Sequence, residues 1–152
     1  MLTLRPARPT QAGELTELCL RSKAVWGYDA AFMEACRAEL TIHPETIATS
    51  QVQVAELDAR LAGVARLCIL DGEAELAALF VEPDLQRSGV GRALFDWAVA
   101  ECRAHSVSSM MIDADPGAAT FYRRMGAREV GLAPSGSIPG RFLPRLQFDI
   151  AP

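Results

Sequence analysis

The spacing of apolar residues predicts two helices near the start of the chain. The first runs from about residue 10 to 25, with Thr10 as its cap, and the second covers about 29–40. A short strand over 2–6 precedes them, and a loop is expected at His43-Pro44. The N-terminal third is therefore predicted to be mainly helical.

Beyond residue 50 the pattern changes to the alternation and short apolar runs of β-strands. Strands are predicted over 51–57, 61–70 and 74–81, and Asp71-Gly72 is a hairpin turn signal between the last two. Pro83 stops the third strand because proline cannot donate to a sheet. Three strands joined by tight turns predict an antiparallel meander.

The remainder of the chain alternates helix and strand. Its predicted elements are a helix over 90–104, a strand over 109–113, a helix opened by Pro116 and ended by Gly126, and strands over about 127–132 and 142–150. The strand over 109–113 indicates a parallel crossover from the strand before the long helix. The full order, β-α-α-β-β-β-α-β-α-β-β, predicts a single domain over 1–152 of the α/β (α+β) class. We expect a mixed, mostly antiparallel twisted sheet of about seven strands with helices on both faces.

Composition narrows the class of protein. The formal net charge is −4, which argues against nucleic acid as the main partner because phosphate binding requires a basic field. No stretch approaches the ~20 apolar residues of a membrane span, and the N-terminus lacks the layout of a signal peptide. A cytoplasmic protein without membrane contact is expected. Cysteines and histidines are scattered without ligand spacing, so no metal site is predicted.

A glycine loop, Gln86-Arg87-Ser88-Gly89-Val90-Gly91, lies between a predicted strand and a predicted helix. A helix N-terminus presents free backbone N–H groups and the positive end of the helix dipole. Gly89 and Gly91 would let an anion approach the backbone closely, and a pyrophosphate suits such a loop. The loop is neither a P-loop nor the G-x-G-x-x-G of a dinucleotide fold. An ordinary tight turn is the alternative.

Two segments resemble the GCN5-related N-acetyltransferase (GNAT) family. Residues 79–94, LFVEPDLQRSGVGRAL, are similar to the family's signature Q/R-x-x-G-x-G/A, which follows a strand ending in apolar-V-x-P. Residues 119–126, ATFYRRMG, are similar to the family's A-x-x-F-Y-x-x-x-G-F, from which the chain departs at Ala127. The resemblance implies a GNAT-type fold and an acyltransferase that uses acetyl-CoA as co-substrate.

The resemblance also implies which residues hold acetyl-CoA. The loop backbone would bind the pyrophosphate, and the strand at 79–81 would pair with the pantetheine arm. In this family that strand carries a bulge and diverges from the strand at 109–113. Asp115 departs from a common asparagine and has helix capping as its alternative role. The cofactor residues so implied are Leu79, Phe80, Val81, Gln86, Arg87, Ser88, Gly89, Val90, Gly91, Arg92, Asp115, Ala119, Phe121, Tyr122 and Arg124.

Three catalytic roles follow from the same resemblance. Tyr122 occupies the position of the family's general acid, and a phenol can protonate a thiolate while staying neutral at neutral pH. The N–H of Val81 would stabilise the oxyanion. Glu75 is the candidate base, at a position where some family members carry a catalytic glutamate, and carboxylates elsewhere or a water chain could serve instead. The alternatives are a tyrosine that only packs the core and a solvated glutamate at a strand edge.

The acceptor is predicted to be a primary amine of a small molecule. In the family the acceptor pocket is lined by the first two helices and by the loop between the last two strands. Trp26 and Tyr28 fall between those helices and would form one wall. Arg141 on the far wall could hold a substrate carboxylate. The alternatives are a coenzyme A-binding sensor or regulatory module without turnover, and a protein lysine or N-terminal acetyltransferase. In this family exposed final strands often pair, so the resemblance implies a homodimer.

Overall fold

The computed structural model describes residues 1–152, and its elements follow the predicted order closely. The strands are β1 (Leu2–Pro6), β2 (Gln51–Leu57), β3 (Arg60–Leu70), β4 (Glu73–Val81), β5 (Ser109–Asp113), β6 (Arg128–Pro134) and β7 (Phe142–Asp149). The helices are α1 (Ala12–Ala24), α2 (Ala30–Leu40), α3 (Pro44–Thr49), α4 (Val90–Ala104) and α5 (Ala119–Met125). Short 3₁₀ turns lie at Pro9–Gln11 and Pro83–Leu85.

All seven strands join one sheet in the order β1-β2-β3-β4-β5-β7-β6. Every neighbouring pair is antiparallel except β4 and β5, which are parallel and connected through α4. This arrangement confirms the predicted mixed, mostly antiparallel sheet of seven strands. No helix of the chain combines the length and the apolar character needed to cross a bilayer.

The sheet separates two hydrophobic clusters. Val52, Val54 and Val64 point to one face and pack with Leu15 and Leu18 of α1. Alternate residues of the same strands point to the other face, because successive side chains of a strand lie on opposite sides. That second cluster includes Ala65, Leu67, Leu94, Phe95 and Ala98. Helices therefore cover both faces, as predicted.

A bulge in β4 coincides with the place where β4 leaves β5. Arg66 pairs with Ala78 while the next residue, Leu67, pairs with Leu76, so Ala77 has no partner on β3. β4 and β5 are in register only at Ala74–Met110 and Glu75–Met111. Beyond Glu75 the two parallel strands diverge and leave a cleft in the sheet. The bulge and the divergence expected from the family resemblance are both present.

Three local predictions were wrong. Thr10 does not cap α1, because the 3₁₀ turn at Pro9 runs into the helix, and the N-cap is Gln11 without a side-chain cap bond. The loop expected at His43-Pro44 is the start of α3, which Pro44 opens and which buries Ile47. Six residues are too few for a helical period to show. α5 begins at Ala119, not at Pro116, because residues 115–118 form a hydrogen-bonded turn.

Candidate functional site

A cavity of about 630 Å³ passes through the cleft between β4 and β5. On one side it reaches the glycine loop, where Arg87 and Gly91 line it. On the other side it reaches α1, the end of α2 and the β6–β7 loop, where Trp26 and Gly136 line it. Two ligands entering from opposite sides of the sheet could therefore meet at β4.

The glycine loop presents its backbone N–H groups without protein partners. None of the turn and loop hydrogen bonds uses an N–H of residues 86–92, and the first bond of α4 joins Ala93 N to Gly89 O at 3.0 Å. Arg87 and Gly89 have φ of 65° and 87°, a left-handed pairing that helps to turn successive N–H groups to one side. With the dipole of the 15-residue α4 behind it, this loop suits an anion.

The end of β4 is fixed beside that loop. Gln86 Nε2 donates to the carbonyl oxygen of Val81 at 3.3 Å. Glu82 N donates to Ala62 O at 2.8 Å, and donors alternate along an antiparallel pair, so the N–H of Val81 points away from β3. Since β5 has already diverged, this N–H is directed into the cleft.

An ion pair missed by the sequence reasoning ties the end of β4 to α1. Arg21 donates to both carboxylate oxygens of Glu82, at 2.7 and 2.8 Å. Glu82 is buried, and the bidentate bond raises the pKa of Arg21. The pair holds the cavity's central strand against the helix on the acceptor side.

Tyr122 lies at the cavity with its ring packed in the core. Its ring is 5.1 Å from that of Phe121 and 6.2 Å from that of Phe95, measured between centroids. The residue is 6% exposed, it lines the cavity, and its hydroxyl has no hydrogen-bond partner in the protein. Burial raises the pKa of Tyr122, so the phenol stays protonated at neutral pH. A buried, neutral O–H at a cavity wall can serve as a proton donor.

Asp115 is the centre of a polar network beside the cavity. Its Oδ2 accepts from Lys23 Nζ at 3.1 Å and from the Tyr28 hydroxyl at 2.8 Å, while Oδ1 accepts from Gly117 N at 3.0 Å. Arg141 donates to the Tyr28 hydroxyl at 2.7 Å. Burial alone would raise the pKa of Asp115, but these hydrogen bonds outweigh it and hold the pKa below its usual range. The network joins α1, the β5–α5 turn and the β6–β7 loop.

Trp26 also reaches across to the β5–α5 turn. A side-chain carbon at Gly117 would come within 2.7 Å of its indole ring, so Gly117 is required for this contact. Trp26 is 49% exposed and lines the cavity, which makes it a wall rather than a buried plug.

Most of the predicted site residues meet in this one cavity. Those that line it are Trp26, Glu75, Leu79, Phe80, Val81, Gln86, Arg87, Gly89, Gly91, Arg92, Asp115, Phe121 and Tyr122. The others do not line it: Tyr28 and Arg141 bind each other beside Asp115, Val90 and Ala119 are buried in the core, and Ser88 and Arg124 are exposed.

Four further charged residues line the cavity and were missed as site residues: Lys23, Glu39, Arg66 and Asp113. Arg66 had a readable signal, since it is the one charged residue inside the apolar run 61–70. Lys23 is the chain's only lysine, but this fact gives no indication of where the residue lies in the fold. Glu39 had no signal, because a glutamate near a helix end is typical of a solvated face.

Solved structures share this architecture. The N-acetyltransferase PaiA of Thermoplasma acidophilum, in complex with coenzyme A, superposes with a TM-score of 0.82 at 17% identity, over 98% of this chain and 99% of that one. YncA of Salmonella typhimurium, solved with its cofactor acetyl-CoA, superposes with a TM-score of 0.65 at 20% identity, over 99% and 94% of the two chains. These likenesses establish the fold.

Sequence comparisons point to the same family. The uncharacterized N-acetyltransferase ycf52 of Porphyra purpurea is 25% identical over 91 residues, which are 59% of this chain and 52% of that protein. The chain thus spans about half the length of the curated relatives it matches. A family model described as an acetyltransferase (GNAT) domain matches residues 15–134, most of the chain and both halves of the cavity. From this match we conclude that the chain belongs to the GNAT acetyltransferase family.

Proposed function

We propose that this protein transfers an acetyl group from acetyl-CoA to a primary amine of a small molecule, by direct attack in a ternary complex. One observation carries the proposal: the cleft between β4 and β5 joins an N–H-rich loop to a second pocket, with the Tyr122 side chain at the same cavity. A donor and an acceptor can therefore meet without a covalent enzyme intermediate.

The donor site would be made mainly by backbone. The unpartnered N–H groups of residues 86–92 suit the pyrophosphate of coenzyme A, and the diverging end of β4 offers main-chain groups to the pantetheine arm. Arg87 and Arg92 line the cavity at the loop and add positive charge. The coenzyme A and acetyl-CoA found with PaiA and YncA support this assignment.

The chain's own groups account for each proton and charge of the transfer. Glu75 lies six residues before Val81 on β4, roughly 18 Å along the strand, so it takes a proton from the acceptor ammonium through bridging water. Loss of this proton frees the nitrogen lone pair to form the new C–N bond. The Val81 N–H stabilises the carbonyl oxygen as it gains negative charge. Tyr122 gives its proton to the sulfur as the C–S bond breaks. The nitrogen, which became acidic when the C–N bond formed, loses its second proton to the tyrosinate, and the proton on Glu75 passes to solvent.

The shape of the acceptor side favours a small molecule. Trp26 closes against Gly117 on one side, and the Glu39 carboxylate lies against Gly136 on the other. These contacts join the segment after α1 to the β5–α5 turn, and α2 to the β6–β7 loop, and they support a small acceptor rather than an extended polypeptide.

The homodimer stays a prediction. β6 is an edge strand with Val130 and Leu132 exposed on it, and Phe142 at the start of β7 is exposed as well. An exposed apolar edge of this kind favours pairing with a second copy. Size-exclusion chromatography coupled to light scattering should give a molar mass twice that of the chain.

An amine panel tests the proposal. The protein is mixed with acetyl-CoA and small primary amines, and free thiol is measured against a blank without amine. We expect thiol release and an acetylated amine of matching mass for at least one member. Binding of acetyl-CoA with no thiol release above the blank would contradict transfer and support a coenzyme A-binding module instead.

A further inference from the structure

Charged side chains around the cavity divide into those that are already paired and those that are not. Lys23 and Asp115 lie 3.1 Å apart, and Arg145 holds Asp113 at 2.8 Å. Away from the glycine loop, three lining side chains take part in no ion pair or hydrogen bond of the structure: Glu39, Arg66 and Glu75. These three groups remain free for a ligand.

Of the three groups, Arg66 has the strongest need for a partner. It is half-buried, and its Nε is buried without any hydrogen-bond partner. A buried donor left unpaired is costly, and a guanidinium presents a planar fork that matches a carboxylate. An anionic group on the ligand would balance this charge by binding the guanidinium where Arg66 lines the cavity.

Strand register places Arg66 and Glu75 on the same face of the sheet. Arg66 lies opposite Ala78, and Glu75 lies opposite Cys68, two residues farther along β3. By strand geometry their Cα atoms are roughly 8 Å apart. Arg66 shares this face with Val64, which packs towards α1, so both groups belong to the acceptor side. A compact ligand could contact a cation and a carboxylate at once.

The other cations of the acceptor side are already occupied. Lys23 and Arg141 both lie against Asp115, at 3.1 and 3.7 Å, and Arg141 also donates to the Tyr28 hydroxyl. Arg145 binds Asp113 through two hydrogen bonds. Arg66 is therefore the cation best placed to receive an anion, in preference to Arg141.

We propose that the acceptor is an amino acid or a similar small zwitterion, whose carboxylate binds Arg66 while its amine is directed to Glu75 and Glu39. This inference rests on the proposed acetyl transfer and adds the class of acceptor to it. The carboxylate fixes one end of the molecule, and the two free glutamates attract the ammonium at the other end. The nitrogen is thereby held near β4, where the donor cleft opens.

Matched pairs of acceptors test this without any mutation. Each of the common L-amino acids is compared with its own carboxamide, which keeps the amine and side chain but removes the negative charge. We expect kcat/KM for the preferred amino acid to exceed that for its carboxamide by at least about tenfold, since a charge-assisted bond is lost. An equal or better carboxamide would overturn the proposal, and would favour a peptide-like acceptor.

Two variants test whether Arg66 is the residue responsible for the preference for the acid over the amide. Arg66→Met keeps the length and removes the charge, and it should reduce the acid-to-amide preference to near one while leaving acetyl-CoA affinity unchanged. Arg60→Met is the matched control, because Arg60 lies on the same strand, outside the cavity, and pairs with Asp84 at the surface. It should keep the preference. A preference that survives Arg66→Met would overturn the assignment to Arg66.

The results also separate this inference from the function beneath it. Thiol release without a carboxylate preference overturns the acceptor class alone. Thiol release only with amines that are not amino acids also overturns the acceptor class alone, whereas absence of thiol release with every acid, every amide and every member of the wider amine panel overturns both. If Arg66→Met does not fold, as judged by its thermal unfolding, the wild-type comparison of acid with amide still decides the acceptor class.

Discussion

The two sides of the cavity present different kinds of binding group, backbone groups on one side and side chains on the other. On the proposed donor side the groups available to a ligand are backbone N–H groups of residues 86–92 and of the diverging end of β4. On the acceptor side they are charged and aromatic side chains brought together from distant parts of the chain, among them Trp26, Arg66 and Asp115. A site made of backbone groups depends on the conformation of a few residues, whereas a site made of side chains can be changed one residue at a time.

This difference explains how one fold can keep its donor and vary its acceptor. The donor site needs a left-handed residue at Gly89 and a helix N-terminus, and many sequences supply both. The acceptor site needs specific charges at specific positions, because an unpaired group in a half-buried pocket favours only a complementary ligand. Specificity should therefore change through the acceptor side, and catalysis should depend on groups at the junction.

The largest expected effect is at that junction. Tyr122→Phe removes the proposed proton donor while keeping the ring contacts with Phe95 and Phe121. We expect kcat to fall by about 100-fold or more, as for the loss of a general acid, with acetyl-CoA affinity within about twofold of wild type. Steady-state kinetics and calorimetric titration with acetyl-CoA measure the two quantities.

Tyr28→Phe is the matched control for that prediction. It removes a hydroxyl that binds Asp115 and Arg141 and that does not line the cavity. It should raise the KM of the acceptor and leave kcat near the wild-type value. A Tyr122→Phe variant with unchanged kcat would remove Tyr122 from the chemistry and leave it as a core residue.

Sequence alone predicted the fold well, and it predicted the glycine loop that the structure shows at the N-terminus of α4. The alternation of β2 to β4 and the long apolar stripe of α4 gave their bounds to within two residues. The glycine loop was readable because its backbone limits residue choice: Gly89 has a left-handed φ, and a Cβ at Gly91 would lie 3.3 Å from the Phe121 ring. α3 escaped because six residues opened by a proline carry too little periodicity.

The acceptor side could not be predicted in the same way. Glu39 and Gly136 touch only because the β6–β7 loop folds over the end of α2, and no local pattern encodes that contact. Arg141 was a reasonable candidate for an anion, yet its partners in the structure are Tyr28 and Asp115. Which arginine stays unpaired depends on tertiary neighbours, and the apolar strand around Arg66 was the only hint.

A glycine-to-alanine pair tests whether the donor side really depends on backbone. Gly89 and Gly72 have φ of 87° and 78°, and a Cβ at either would meet no atom within 4 Å. Each alanine should cost about 1–2 kcal/mol of unfolding free energy, because both residues are left-handed. Only Gly89→Ala should also weaken acetyl-CoA binding, by roughly tenfold, since its methyl group lies among the loop N–H groups.

Thermal unfolding and calorimetric titration of the two variants supply the measurements. Gly72 lies in the β3–β4 hairpin, outside the cavity, so Gly72→Ala controls for strain alone. Equal acetyl-CoA affinities in the two variants would mean that the donor is held by side chains, and the contrast between the two sides would fail.

A smaller effect is expected from Asp115→Asn, which weakens the network on the acceptor side. Lys23, Tyr28 and Arg141 would keep a neutral partner in place of a carboxylate, at a cost of about 1–3 kcal/mol in unfolding free energy. The acceptor KM should rise while acetyl-CoA affinity stays unchanged. Asp84→Asn, which loses an exposed pair with Arg60, should be close to wild type in both respects.

The pH dependence of the difference in unfolding free energy between wild type and Asp115→Asn identifies the cause of that difference. The folded pKa of Asp115 is below its unfolded value, so the carboxylate stabilises the fold at pH values above the unfolded pKa of about 4. As the pH falls through the folded pKa, this contribution is lost. The unfolding free energies of wild type and Asp115→Asn should therefore differ by a constant amount above about pH 5 and converge below about pH 4. Denaturant titrations from pH 3 to 7 measure the difference, and a gap that does not narrow in acid would mean that packing, not charge, makes Asp115 matter.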